Sequence, residues 1–116
     1  MIFKIATAAD WGAAERAGSF AGSAHDKADG FIHFSTASQL AETLRLYYAG
    51  QNDLLLIAVD DAKLGAALKW ERSESRGEDF PHLFAALPLP AVKWKHALAR
   101  DAQGTFVLPD MVFAKG

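Results

Sequence analysis

Leu54-Leu55-Leu56-Ile57-Ala58-Val59 is an unbroken apolar run between the polar turn Gln51-Asn52-Asp53 and the acidic pair Asp60-Asp61. Six residues suit a strand better than a helix, and continuous rather than alternating hydrophobicity predicts a central strand with both faces covered. The rest of the chain must therefore supply two covering layers. Immediately upstream, Thr36-Ala37-Ser38-Gln39 has the hydroxyl-to-Gln spacing of a capping box. It predicts a helix from about Ala37 to Tyr48, with Leu40, Leu44, Tyr47 and Tyr48 on one side and Gly50 beyond its end. Ahead of it, Gly30 opens a compact strand, Phe31-Ile32-His33-Phe34-Ser35.

At the start of the chain, Ile2-Phe3-Lys4-Ile5 reads as a strand. Thr7 with Asp10 caps a helix that runs to about Ala17, with Trp11 and Ala14 on one face and Gly18 as its stop. Gly18 to Gly30 shows neither periodicity and reads as a long loop, of the kind that serves as a lid or binding segment. Downstream, Asp60 to Gly65 is a short helical or irregular turn. Leu68 to Arg72 alternates as a strand, with Leu68, Trp70 and Arg72 on one face and Lys69 and Glu71 on the other. Ser73 to Asp79 reads as an exposed loop, and the prolines of Leu87-Pro88-Leu89-Pro90 exclude both a helix interior and a central strand. The last unit reads as a hairpin, with Ala91 to Ala99 and Thr105 to Leu108 joined through Asp101-Ala102-Gln103-Gly104. Helices in the first half followed by a strand-rich second half predict an α+β fold. Two helices would pack on a strongly curved or split, mainly antiparallel sheet of six to seven strands.

The chain has 116 residues, a size that predicts one domain over residues 1–116. Its 12 Lys+Arg against 14 Asp+Glu leave a net charge of −2, which argues against a nucleic-acid partner and favours a free metabolite or nucleotide. No cysteine is present, which excludes disulfides, thiolate zinc sites and a cysteine nucleophile. The start lacks signal-peptide character, and the longest apolar run is far short of the roughly 20 residues of a membrane span, so a cytoplasmic protein is expected. The exposed edge of the final hairpin is compatible with a monomer or a weak homodimer.

Chemistry must then come from histidine, hydroxyl and carboxylate groups. Neither a Gly-rich phosphate loop nor a Gly-x-Ser-x-Gly elbow is present. His25, His33, His82 and His96 include no histidine pair at short ligand spacing, so no metal is expected. His33 and Ser35 emerge on the same face of an otherwise apolar strand, and His82 sits in similar surroundings within Phe80-Pro81-His82-Leu83-Phe84. A buried imidazole or hydroxyl costs roughly 1–3 kcal/mol unless partnered, so these groups are either satisfied core residues or parts of a cleft. Glu71 lies within a strand rather than on a charged loop and is the candidate acid or base. Tyr47 and Trp70 offer polar tips or stacking faces, and Thr36, beside Ser35, can cap a helix and still meet a ligand.

Taken together, Gly30-Phe31-Ile32-His33-Phe34-Ser35-Thr36, Gly50-Gln51-Asn52-Asp53-Leu54-Leu55-Leu56 and Phe80-Pro81-His82-Leu83-Phe84 with Leu87-Pro88-Leu89 resemble a bacterial family known as domain of unknown function 952. The likeness runs from the Trp11 helix to about Val92, with Phe84 and Ala85 where Tyr and Gly are expected. More remotely, His33-Phe34-Ser35 leading into a helix that ends near Gly50 is similar to the ADP-ribosyltransferase fold. That resemblance implies NAD as a substrate, with His33 on the nicotinamide-side ribose and Ser35 steadying the same end. A late-strand carboxylate is then needed, and Glu71, Glu78 and His82 compete for its place. The expected catalytic set is His33, Glu71 and His82, and the expected substrate contacts are Ser35, Thr36, Tyr47, Trp70 and Phe84. A non-catalytic nucleotide- or protein-binding module, and a hydrolase using His33 and His82 on a small ester or phosphate, remain the alternatives.

Overall fold

The apolar run is a strand, and it is central: in the computed structural model, which describes residues 1–114, Leu54–Val59 (β4) lies between Ile2–Thr7 (β1) and Val92–Ala97 (β8). Both pairings are antiparallel, running from Ile2 opposite Val59 to Thr7 opposite Leu54 on one side and from Leu55 opposite Ala97 on the other. Side chains alternate across a strand, so β4 serves two cores at once. Leu54, Leu56 and Ala58 pack with Phe3, Ile5, Leu40, Leu44 and Val112. Ile57 and Val59 pack with Ile2, Ala6, Trp11, Phe20, Ile32 and Leu83.

Helices form the covers. Ala8–Ala17 (α1) starts at Thr7, whose hydroxyl accepts from the Asp10 amide, and stops at Gly18, whose φ of 90° is the left-handed conformation that glycine adopts without strain. It buries Trp11 and Ala14 against the first core. Leu40–Tyr47 (α3) follows a single 3₁₀ turn over Ala37–Gln39 and buries Leu40 and Leu44 against the second. Tyr47, expected on that buried side, is 57% exposed: it is the last residue of the helix, beyond the buried Leu40 and Leu44.

Residues 18–30, expected to be a loop, are ordered structure. Ser19–Phe20 (β2) pairs antiparallel with Leu87–Pro88 (β7), and Ala24–Asp29 is a third helix, α2. Its start is a reciprocal capping box: the Ser23 hydroxyl accepts from the Asp26 amide, and the Asp26 carboxylate accepts from the Ser23 amide. Six residues carry too little periodicity to register as a helix, and six residues alone are below the length at which a helix holds itself together. What holds α2 is a tertiary contact described below.

A second antiparallel sheet has the order Ile32–His33 (β3), Glu78–Leu83 (β6), Leu68–Ser73 (β5). The two sheets are joined at one bridge, where the amides of Phe3 and Ser35 each donate to the other's carbonyl at 2.8 and 2.9 Å. The expected five-residue strand at 31–35 is therefore divided: Ile32 and His33 belong to one sheet, and Ser35 pairs into the other. Pro81 sits in the middle strand of the second sheet, where a missing donor is normally unwelcome; its carbonyl accepts from the Phe34 amide at 3.0 Å. The last hairpin is smaller than expected. Ala99–Arg100 (β9) pairs with Phe106–Val107 (β10) around the Asp101–Gly104 turn, whereas Val92–Ala97 turns inward to complete the first sheet. The split, antiparallel α+β architecture thus holds, with the three α-helices of the described residues within the first half of the chain. No helix among the described residues is long and apolar enough to cross a membrane.

Leu56 has no exposed surface and contacts the sheet's inner layer. Leu56→Ala is expected to lower stability by about 2–5 kcal/mol, read as a reduced urea midpoint at unchanged slope. A loss below about 1 kcal/mol would contradict the packing of β4 on both faces.

Candidate functional site

Strands β3 and β6 place His33 directly opposite His82, so both imidazoles rise from the same face of the second sheet, with ring centroids 5.6 Å apart. Each is held by a carboxylate on Nδ1. The His33 Nδ1 lies 2.6 Å from Asp26 Oδ1, and His82 Nδ1 lies 2.8 Å from Glu71 Oε1. Fixing one ring nitrogen sets both the orientation of an imidazole and the face its other nitrogen presents. Phe31 completes the arrangement, stacked on His82 at 4.0 Å and tilted against His33 at 4.7 Å.

Asp26 is the hub. Its carboxylate accepts from Lys4 Nζ, from the Ser23 amide and from the His33 amide, besides meeting the His33 ring. Lys4 and Asp26 are only 3% and 2% exposed, and their charges come within 2.8 Å. Burial by itself would raise the Asp26 pKa, but the hydrogen bond from His33 and the Lys4 charge outweigh it and hold the carboxyl well below the usual carboxylate range. Burial likewise pulls the Lys4 ammonium below its ordinary value, against the opposing pull of Asp26. Tyr48 is raised by burial first and by the Asp26 charge second.

His33 Nε2 meets a second carboxylate, Asp29 Oδ2, at 2.8 Å. Ionised carboxylates only accept, so both contacts are satisfied together when both ring nitrogens carry hydrogen. His25 stacks on the His33 ring at 4.6 Å and also approaches Asp29, with Nε2 3.5 Å from Oδ2.

His25, Phe31, His33 and His82 line a cleft of about 830 Å³ that draws its walls from both sheets, from Ile5 to Thr7 on one side and from Phe80 and His82 on the other. Of the residues expected from the sequence, His33, Ser35, Tyr47 and His82 line it. Glu71 is bound to His82 and does not itself face the cleft. Thr36 does not line it either; its amide donates to the Gln39 side chain at 3.0 Å, the helix-start role open to it. Trp70 is 49% exposed on β5 and outside the cleft. Phe84 packs on Phe31 at 5.2 Å and lines a separate, smaller cavity of about 320 Å³.

Four contributors escaped the sequence reading. Asp26 was legible in principle, since Ser23 and Asp26 have capping-box spacing, although nothing local says that the acid also pairs with Lys4. Asp29 carries its signal only in combination, four residues from both His25 and His33. Arg72 and Arg76 line the cleft from what read as a strand face and a solvated loop. Arg76 donates to Thr43 Oγ1 at 3.0 Å and lies over the Phe80 ring at 4.7 Å, and Thr43 in turn accepts from Ser35 Oγ at 3.4 Å.

Asp26→Asn leaves the buried Lys4 charge unmatched and is expected to cost about 3–5 kcal/mol at neutral pH. A carboxyl depressed on folding adds stability wherever the unfolded group is also ionised, above about pH 4, and that contribution drains away as the pH falls from there toward the folded value. The gap between wild type and Asp26→Asn in urea unfolding should therefore narrow on acidification below about pH 4. A gap that stays constant with pH would contradict the depressed carboxyl.

Comparison with known proteins places this geometry in context. The crystal structure of protein CC0527 from Caulobacter crescentus superimposes with a TM-score of 0.90 at 43% sequence identity, covering 97% of this chain and 98% of that one. The solution NMR structure of the same protein gives a TM-score of 0.79 at 45% identity, over 90% and 89% of the two chains. No curated protein matches. The family described as "Protein of unknown function (DUF952)" matches residues 5–95, well over half of the chain. With that match and these relatives, the chain belongs to the DUF952 family.

Proposed function

We propose that the cleft binds NAD or an ADP-ribose-like nucleotide, with His33 and Ser35 at the ribose. The observation that carries this reading is the grip of buried Asp26 on His33, which lines the cleft. By occupying Nδ1 it aims Nε2 outward as a ready polar group beside Ser35, in a cleft of the size that small molecules and cofactors occupy. Its present partner, Asp29, is 42% exposed on its side chain and can be released to water when a ligand hydroxyl takes its place. Arg72 and Arg76 provide cationic groups for a pyrophosphate, and Tyr47 and Phe80 provide aromatic surface for a base.

The transfer chemistry compatible with this site breaks the bond between ribose C1′ and the nicotinamide nitrogen. The bonding pair goes to that nitrogen and cancels its positive charge, leaving an oxocarbenium-like ribosyl cation that water or an acceptor nucleophile attacks. Such a step needs positioning and nearby negative charge more than a protein nucleophile. Glu71 reaches such a step only through His82, whose Nδ1 it holds at 2.8 Å. Binding without turnover is the expectation for a non-catalytic module with the same cleft.

A second reading rests on a different observation, the two opposed imidazoles each carrying a carboxylate on Nδ1. One imidazole as base and the other as acid, flanked by two arginines, suits hydrolysis of a small ester or phosphate.

Titration with NAD in the presence of EDTA, followed through the histidine ring resonances, tests the first reading. The His33 and His82 resonances are expected to move saturably, and Arg72→Ala is expected to weaken binding about tenfold or more without lowering stability. Rings that stay unmoved through millimolar NAD would overturn it. Nicotinamide release separates an enzyme from a module, and turnover of a model phosphodiester with a bell-shaped pH profile would select the second reading.

A further inference from the structure

We infer that His25, Asp29 and His33 form a binding site for a divalent transition ion of the zinc class at the mouth of the cleft. The three residues follow the spacing His-x₃-Asp-x₃-His, and their ligating atoms all lie within 4.8 Å of one another. His25 and Asp29 stand one turn apart on α2, and Gly30, with φ of 86°, turns the chain so that His33 comes back beside them. A tetrahedral zinc site with bonds of 2.0–2.1 Å needs ligand atoms about 3.3 Å apart. His25 Nε2 to Asp29 Oδ2 is 3.5 Å and His33 Nε2 to the same oxygen is 2.8 Å, so the His33–Asp29 pair opens by about half an ångström around an ion.

An independent observation lifts this group above a chance cluster. Asp26 holds His33 Nδ1 at 2.6 Å from the buried side, the carboxylate–histidine arrangement that fixes the tautomer of a metal-ligating imidazole and leaves Nε2 to the ion. With an ion on Nε2, that nitrogen carries no hydrogen, while Nδ1 keeps its own and donates it to Asp26. One adjustment is required. The His25 and His33 rings lie within 16° of parallel, so their in-plane lone pairs run side by side rather than converge. The His25 side chain is 75% exposed and free to turn its Nε2 toward the ion. Two imidazoles and one carboxylate suit zinc-class ions rather than magnesium or calcium, and three protein ligands leave a position for water or a ligand oxygen. His25 and His33 both line the cleft, so that position lies at its rim.

This site does not depend on the nucleotide reading, and its test uses no nucleotide. Untagged, EDTA-stripped protein is titrated with zinc chloride by calorimetry and by histidine NMR. One ion per chain is expected, with shifts at the Nε2 of His25 and His33 and loss of their stacking. His25→Ala and Asp29→Asn, both at exposed positions, are each expected to weaken binding at least about tenfold, whereas His96→Ala leaves it unchanged. Non-saturable binding, equal binding by His25→Ala, or loss of binding in His96→Ala would overturn the site.

Discussion

Lys4 and Asp26 face each other 2.8 Å apart with almost no contact with water, and the fold and the cleft both lean on that pair. Two charges taken from water are tolerated only when geometry and further hydrogen bonds compensate each of them. Here Asp26 spends its oxygens on an ammonium, two backbone amides and an imidazole. The lysine comes from β1 in the first sheet, and the aspartate from a six-residue helix that could not stand alone. The pair therefore ties α2 to the sheet, and through the same carboxylate it sets the angle of His33.

The cleft follows from how the two sheets are joined. They meet at the Phe3–Ser35 bridge, and beyond it β1 continues toward Thr7 while β3 runs antiparallel to β6. The space between is walled by both and roofed by α2 and α3 residues. Polar groups line it because each has been given a fixed partner: Asp26 for His33, Glu71 for His82, and Thr43 for Ser35 and Arg76. No buried side-chain nitrogen or oxygen among the described residues lacks a hydrogen-bond partner, so the site costs the fold little.

Much of this was legible locally. The apolar run 54–59, the helix caps at Thr7 and Thr36, and the stop at Gly18 specify their elements through contacts within a few residues, which is why those elements appear as read. His33, Ser35, Tyr47 and His82 were singled out as polar or aromatic groups in apolar or face-forming positions, and all four line one cleft. Trp70, Thr36 and Phe84 joined the same set through an aromatic face, a place beside Ser35 and a family-like stretch, yet Trp70 is exposed outside the cleft, Thr36 starts a helix and Phe84 packs on Phe31.

The sequence by itself determined the α+β class, the central strand and the two longer helices, because hydrophobic period and capping chemistry act over a single turn or pleat. Tertiary structure alone decided that Val92–Ala97 joins β4 rather than a hairpin, that residues 24–29 are helical, and that Asp26, 22 residues from Lys4, is its partner. Those outcomes depend on charges and backbone groups that find each other only once water has been squeezed from between them, and no local pattern of residues encodes such a meeting.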